Sequence, residues 1–162
     1  MELEITKMQL SDLEQIKEKL LEDFDDFWTV NILKEEIQNE KSQYIVAKQN
    51  QGIVGFAGIR IIIDEVEIMN IVVRKDKRKE GIGSRLLQEI LKTAKEQNAQ
   101  VVILEVNEKN QPAIKLYQKF GFEQIGLRKK YYHNTDNAII MSCQVGDVPF
   151  SDKVVRLGTH LK

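Results

Sequence analysis

The chain of 162 residues is 42% hydrophobic and 30% charged, proportions that suit one soluble domain and exclude a fibrous or low-complexity protein. A formal net charge of −1 gives no global attraction to nucleic acid, and two prolines argue against long disordered linkers. Cys143 is the sole cysteine, which excludes an internal disulfide, and with only His133 and His160 to join it no metal site is expected.

The N-terminal MELEITKMQLSD is charged and lacks the apolar run of a secretory signal. LEIT (3–6) reads as a first strand. Ser11 and Glu14 form a capping-box pattern, predicting a helix whose Leu13, Ile16, Leu20 and Leu21 make an apolar stripe to about Phe24. DDFWTVN (25–31) predicts a loop, and Ile32, Leu33, Glu35, Glu36 and Ile37 a shorter second helix. The pattern then changes to strands. YIVAK (44–48), a turn at 50–52, IVGFAGIRIII (53–63), a turn at Asp64 and Glu65, and VEIMNIVV (66–73) make an antiparallel meander. The run at 53–63 is interrupted by Arg60 and falls short of the roughly 20 residues that cross a bilayer. No membrane partner is expected, and the cytoplasm is the expected compartment.

A helix is predicted from about Gly81 to Gln97, burying Leu86, Leu87, Ile90, Leu91 and Ala94. VVILEV (101–106) follows, nearly all apolar, as expected of a strand covered on both faces. Asn110 can cap a further helix, in which Pro112 is tolerated because first-turn amides lack intrahelical partners, and Gly121 marks its left-handed end. FEQIGL (122–127) and NAIIMSC (137–143) are the closing strands. Together these elements predict a mixed α/β domain over residues 2–145, with 146–162 as a C-terminal extension of unknown role.

The stretch VVRKDKRKEGIGSR (72–85) joins a strand to a helix and carries a local surplus of four positive charges, from Arg74, Lys75, Lys77, Arg78, Lys79 and Arg85 against Asp76 and Glu80. A helix start presents backbone N–H groups without intrahelical partners and the positive end of the helix dipole. Gly81 and Gly83 would let those amides approach an anion closely. A P-loop is excluded because Ile-Gly-Ser-Arg follows Gly81, and a dinucleotide fingerprint because Leu86 stands where its third glycine belongs.

What fits is R-x-x-G-x-G, Arg78-Lys79-Glu80-Gly81-Ile82-Gly83, and it is joined by N-x-x-A-x-x-L-Y-x-x-x-G-F from Asn110 through Ala113, Tyr117 and Gly121 to Phe122. In both motifs the chain resembles the GCN5-related N-acetyltransferase (GNAT) superfamily. That resemblance implies the family's fold, a central, mostly antiparallel twisted sheet of about 6–7 strands with about four flanking helices. It also implies acetyl-CoA as co-substrate. Backbone groups of Ile71, Val72 and Val73 would contact its pantetheine arm, Arg78, Lys79, Glu80, Gly81, Ile82, Gly83 and Ser84 its pyrophosphate, and Asn110 the cofactor again.

Acetyl transfer to an amine needs a base for the nitrogen and a proton for the departing thiolate. Strand alternation puts Glu105 on the face of Val101 and Ile103, where partial shielding would raise its basicity, directly or through water. Tyr117, a phenol with a pKa of about 10, can protonate a thiolate whose conjugate acid has a pKa of about 8.5. The segments Leu104-Glu105-Val106 and Ala113-Ile-Lys-Leu-Tyr117 resemble the ribosomal-protein-alanine N-acetyltransferase (RimI) branch, which implies Glu105 as base and Tyr117 as acid. Arg128-Lys-Lys-Tyr131-Tyr132 with Asp136 resembles its R-x-x-Y-Y segment, and Phe27-Trp28 ahead of Glu35-Glu36 resembles its substrate-side opening. Asn107-Glu108-Lys109 departs from the branch, replacing an arginine-containing segment. The acceptor implied is a protein N-terminus, with the N-terminal alanine of a small-subunit ribosomal protein as candidate. An α-amine is also the easier nucleophile, its pKa lying roughly 2.5 units below that of lysine. A small-molecule amine or internal lysine as acceptor, or a non-catalytic acyl-CoA sensor, are the alternatives. A nucleic-acid partner is disfavoured because no stacking aromatics interleave the basic stretch.

Overall fold

A computed structural model describes residues 2–24, 30–50, 52–132 and 135–147. The expected features at Phe27, Trp28 and His133, and the extension beyond Asp147, lie outside the described residues. Seven strands follow the order β1-β2-β3-β4-β5-β7-β6: β1 (Glu4–Lys7), β2 (Ser42–Gln49), β3 (Gly52–Ile62), β4 (Glu65–Val73), β5 (Val101–Asn107), β6 (Glu123–Tyr132) and β7 (Asp136–Gln144). The sheet is mostly antiparallel, its parallel ladder joining Glu65–Ile68 of β4 to Val101–Leu104 of β5. The helices are α1 (Leu10–Ile16), α2 (Leu20–Phe24), α3 (Val30–Gln38), α4 (Ile82–Glu96) and α5 (Gln111–Lys119). The mixed α/β class, strand number and mostly antiparallel sheet match the expectation. Among the described residues no helix is long and apolar enough to cross a membrane.

The chain forms two compact units, Met1–Ile61 with Met69–Leu87, and Ile62–Ile68 with Gln88–Lys162. The first is centred on Met8, Leu13, Ile16, Leu20, Phe24, Leu33, Tyr44, Val46, Ile53 and Phe56, with Val72 packed against them. Its first helix does not begin as the capping-box pattern suggested. Asp12, not Glu14, reaches back, accepting from the Gln9 N–H at 2.7 Å, while Glu14 pairs with Lys17 at 2.8 Å. Ser11 is therefore inside the helix, which starts at Leu10 because Asp12 meets both the orphan amide and Lys48, 3.0 Å away. A 3₁₀ turn at Lys17–Lys19 then interrupts the expected single helix. Gly58 lets the Tyr44 ring lie on the sheet, since a Cβ there would fall 2.0 Å from that ring.

The second unit holds β5, α5, β6 and β7. Burial along β5 alternates, with Val102, Leu104 and Val106 buried and Val101, Ile103 and Glu105 half-buried. The expectation of full cover on both faces is thus met on one face only, although the alternation itself puts Glu105 where it was expected. The Asn107-Glu108-Lys109 segment ties β5 to the start of β7: Asn107 donates to Asp136 at 3.1 Å, Lys109 pairs with it at 3.0 Å, and Glu108 accepts from the Asn137 N–H at 3.0 Å. The hydrogen bonds from Lys109 and Asn107 hold the Asp136 carboxyl below its usual range.

Candidate active site

In the first unit, β4 ends at Val73 and the chain turns through Lys75–Lys77 into α4. Lys79 and Gly81 both take left-handed conformations, with φ of 69° and 84°, so the strand-to-helix turn is built on two unusual residues, one of them not glycine. Nothing lies within 4 Å of where a Gly81 Cβ would project. The first α4 bond runs from the Arg85 N–H to the Gly81 carbonyl at 3.1 Å, which leaves the N–H groups of Ile82, Gly83 and Ser84 without intrahelical acceptors. A left-handed glycine, open space beyond it and three helix-start amides form a turn that can present donors to an anion.

The cations around that turn are not equivalent. Arg74 is engaged by Asp76, whose carboxylate accepts from its Nε at 2.6 Å. Arg78 donates from Nε to the Val73 carbonyl at 3.0 Å and from Nη2 to the Phe24 carbonyl at 3.2 Å, joining the end of β4 to the end of α2. The guanidinium of the R-x-x-G-x-G arginine thus braces the turn that presents the amides. One feature beside this turn was not legible in the sequence: Asn70, on β4 immediately before Ile71, has an amide with neither solvent nor hydrogen-bond partner.

In the second unit, Glu105 pairs with Ile140 of β7. Its side chain is a quarter exposed, but Oε2 is inaccessible and accepts no hydrogen bond; Nη2 of Arg128, on β6, lies 3.4 Å from it. The arginine of the R-x-x-Y-Y segment is therefore the charge partner of the expected base, a role the motif alone did not reveal. Tyr131 and Tyr132 lie within β6. Tyr117 is buried on α5 and packs its ring 5.8 Å from that of Phe122. Asn110 caps α5, accepting from the Ala113 N–H at 3.3 Å, and Gly121 ends it with a φ of 91°. Among the described residues no group of three potential metal ligands occurs. A polar hollow lined by Glu2, Leu3, Glu4, Gln15, Lys48 and Asn50 borders β1 and contains none of the expected site residues.

The seven-stranded, mostly antiparallel mixed α/β fold is the architecture of the acetyltransferase class. Residues 13–122 match the model of the acetyltransferase (GNAT) family, and the chain belongs to that family. It is an acetyl-CoA-dependent N-acetyltransferase. A Bacillus subtilis (strain 168) protein provisionally named a [ribosomal protein bS18]-alanine N-acetyltransferase is 32% identical over 139 residues, 85% of this chain and 92% of its own. An N-alpha-acetyltransferase of Sulfolobus acidocaldarius is 34% identical over 146 residues, covering 82% and 87%. Among solved structures, the ribosomal-protein-S18-alanine N-acetyltransferase of Escherichia coli superposes with a TM-score of 0.82 at 26% identity, over 89% of this chain and 94% of that one.

Proposed function

We propose that this enzyme transfers the acetyl group of acetyl-CoA directly to a protein N-terminal α-amine, with the N-terminal alanine of a small-subunit ribosomal protein as acceptor. Acetyl-CoA brings an activated thioester. The chain's residues supply the rest. Backbone groups of Ile71–Val73 bind the pantetheine arm and Asn110 contacts the cofactor again, while the amides from Lys79 to Ser84, braced by Arg78, hold the diphosphate. Glu105 takes the proton from the acceptor ammonium, directly or through water, so that nitrogen reaches the carbonyl with a lone pair. Tyr117 gives its phenolic proton to the departing sulfur as the C–S bond breaks, and the phenolate is restored by the second proton that the attacking nitrogen sheds on becoming an amide.

The observation that carries this reading is the Glu105 carboxylate, with one oxygen enclosed and charge-compensated by Arg128 rather than immersed in water. The names of the relatives support the choice of acceptor, as does the lower pKa of an α-amine. A thiol-release assay tests it, comparing an alanine-initiated peptide of ribosomal sequence with an internal-lysine peptide and a polyamine. The alanine peptide should give the highest kcat/KM. Preference for lysine or polyamine overturns the acceptor, and tight acetyl-CoA binding without turnover of any amine identifies an acyl-CoA sensor instead.

A further inference from the structure

We propose that Asn70 is a positioning residue whose side chain pairs with a secondary amide of the bound substrates, in the pantetheine arm of acetyl-CoA or in the acceptor peptide; the inference rests on the acetyl-transfer reading above. Solvent reaches neither Oδ1 nor Nδ2 of Asn70, and neither atom has a hydrogen-bond partner. A carboxamide can donate twice and accept twice, and nearly all buried polar groups find partners.

The surroundings make the residue more unusual. Val66 and Ile68, which share its side of β4 by strand alternation, are buried, and Val72 on that same side packs against the cluster that contains Phe56 and Tyr44. Another aliphatic residue would continue that apolar row, and asparagine is disfavoured in strands. A local rule broken without internal compensation is characteristic of a functional position. The unmet requirement is two-sided, a donor and an acceptor on one planar group. A phosphate offers acceptors only and an ammonium donors only, whereas a secondary amide offers one of each, and either its N–H or its C=O can meet one side of the Asn70 carboxamide. Asn70 also directly precedes Ile71–Val73, the backbone assigned to the pantetheine arm.

The test uses the intact enzyme with Asn70→Leu, close to isosteric and apolar, and Asn70→Thr as a second, smaller variant. Removing an unsatisfied buried amide should leave the thermal midpoint without ligand unchanged or higher, because replacing such a group by an apolar one is neutral or stabilising. Function should fall at least about tenfold, the effect of one lost hydrogen bond. A raised Kd for acetyl-CoA in calorimetry assigns the partner amide to the cofactor. A raised KM for the alanine-initiated peptide at unchanged Kd assigns it to the acceptor. A lowered midpoint in both variants with affinity and turnover retained shows a structural amide and overturns the proposal, as does no change in any readout. If wild-type enzyme binds acetyl-CoA but acetylates only another amine, the acceptor reading fails by itself, and the Kd and the KM for that amine decide Asn70. Wild-type enzyme that does not bind acetyl-CoA overturns both.

Discussion

Nη2 of Arg128 stands 3.4 Å from Oε2 of Glu105, an oxygen that solvent does not reach and that accepts no hydrogen bond. The two residues belong to strands on either side of β7, Glu105 opposite Ile140 and Arg128 opposite Ala138, so the contact is diagonal across one strand. At that distance the guanidinium serves the carboxylate as a neighbouring charge rather than as a hydrogen-bonding fork. Glu105→Gln should lower turnover about 10²-fold with acetyl-CoA affinity nearly unchanged. Arg128→Met should lower it less, by about 3–10-fold, and the double variant should be no slower than Glu105→Gln alone, because residues that act as a unit are not additive. Steady-state kinetics with calorimetry measures all three; multiplicative losses would mean that Arg128 acts independently of Glu105.

Tyr117 presents a cleaner separation of packing from chemistry. Its ring is buried and meets Phe122 at 5.8 Å, a contact that a phenylalanine in its place would retain. Tyr117→Phe should therefore fold with the wild-type far-ultraviolet spectrum and bind acetyl-CoA normally, yet release thiol about 10²-fold more slowly. Wild-type turnover in this variant would remove the tyrosine from proton transfer.

The Gly81 turn tests the cofactor cradle. A side chain there meets no neighbour within 4 Å, so the obstacle to Gly81→Val is the left-handed backbone at φ 84° rather than collision. A β-branched residue is a poor occupant of that region, at a cost of order 1–2 kcal/mol. The turn should relax toward φ below zero and misdirect the helix-start amides. Acetyl-CoA affinity should fall at least about tenfold, and for Gly81→Asn, which tolerates left-handed geometry, it should fall less. Equal affinities for all three proteins in calorimetry would count against the cradle.

Much of this arrangement was legible from spacing alone. The helix-start glycines, the alternation that puts Glu105 on the half-buried face of β5, the Asn110 cap and the Gly121 terminus all follow from local geometry, and the structure shows each of these local features. Contacts between residues distant in sequence were not legible. That Arg128 reaches Glu105 depends on β7 lying between β5 and β6, and that Arg78 spans from Val73 to the Phe24 carbonyl depends on where α2 ends. The start of α1 was misread for a related reason. Ser11 and Glu14 carry the capping pattern, but Asp12 also meets Lys48 of β2, and that tertiary contact accompanies a helix that starts at Leu10. Asn70 gave no signal because a polar residue within a strand reads simply as exposure until burial is known.

Glu36 offers a prediction about stability against pH. Its buried carboxylate accepts from the Ser42 hydroxyl at 2.7 Å and is paired with Arg60, binding α3 to β2 and β3. Burial pushes this carboxyl up, but the hydrogen bonds from Arg60 and Ser42 and the nearby guanidinium charge outweigh it, so it titrates below its ordinary value of 4.5. A carboxyl depressed on folding contributes stability that is fully present above its unfolded pKa and is lost as pH falls through the lower folded value. Denaturant melts of the wild type should therefore show this contribution in full near neutrality and lose it progressively as pH drops below 4.5. Glu36→Gln should remove part of that acid dependence. Arg60→Met should be destabilising by about 1–3 kcal/mol at pH 7, because it leaves a buried carboxylate with its charge uncompensated. Parallel pH profiles for wild type and Glu36→Gln would show that the acid loss of stability arises from other carboxylates, with Asp136 of β7, also depressed by its partners, the next to test.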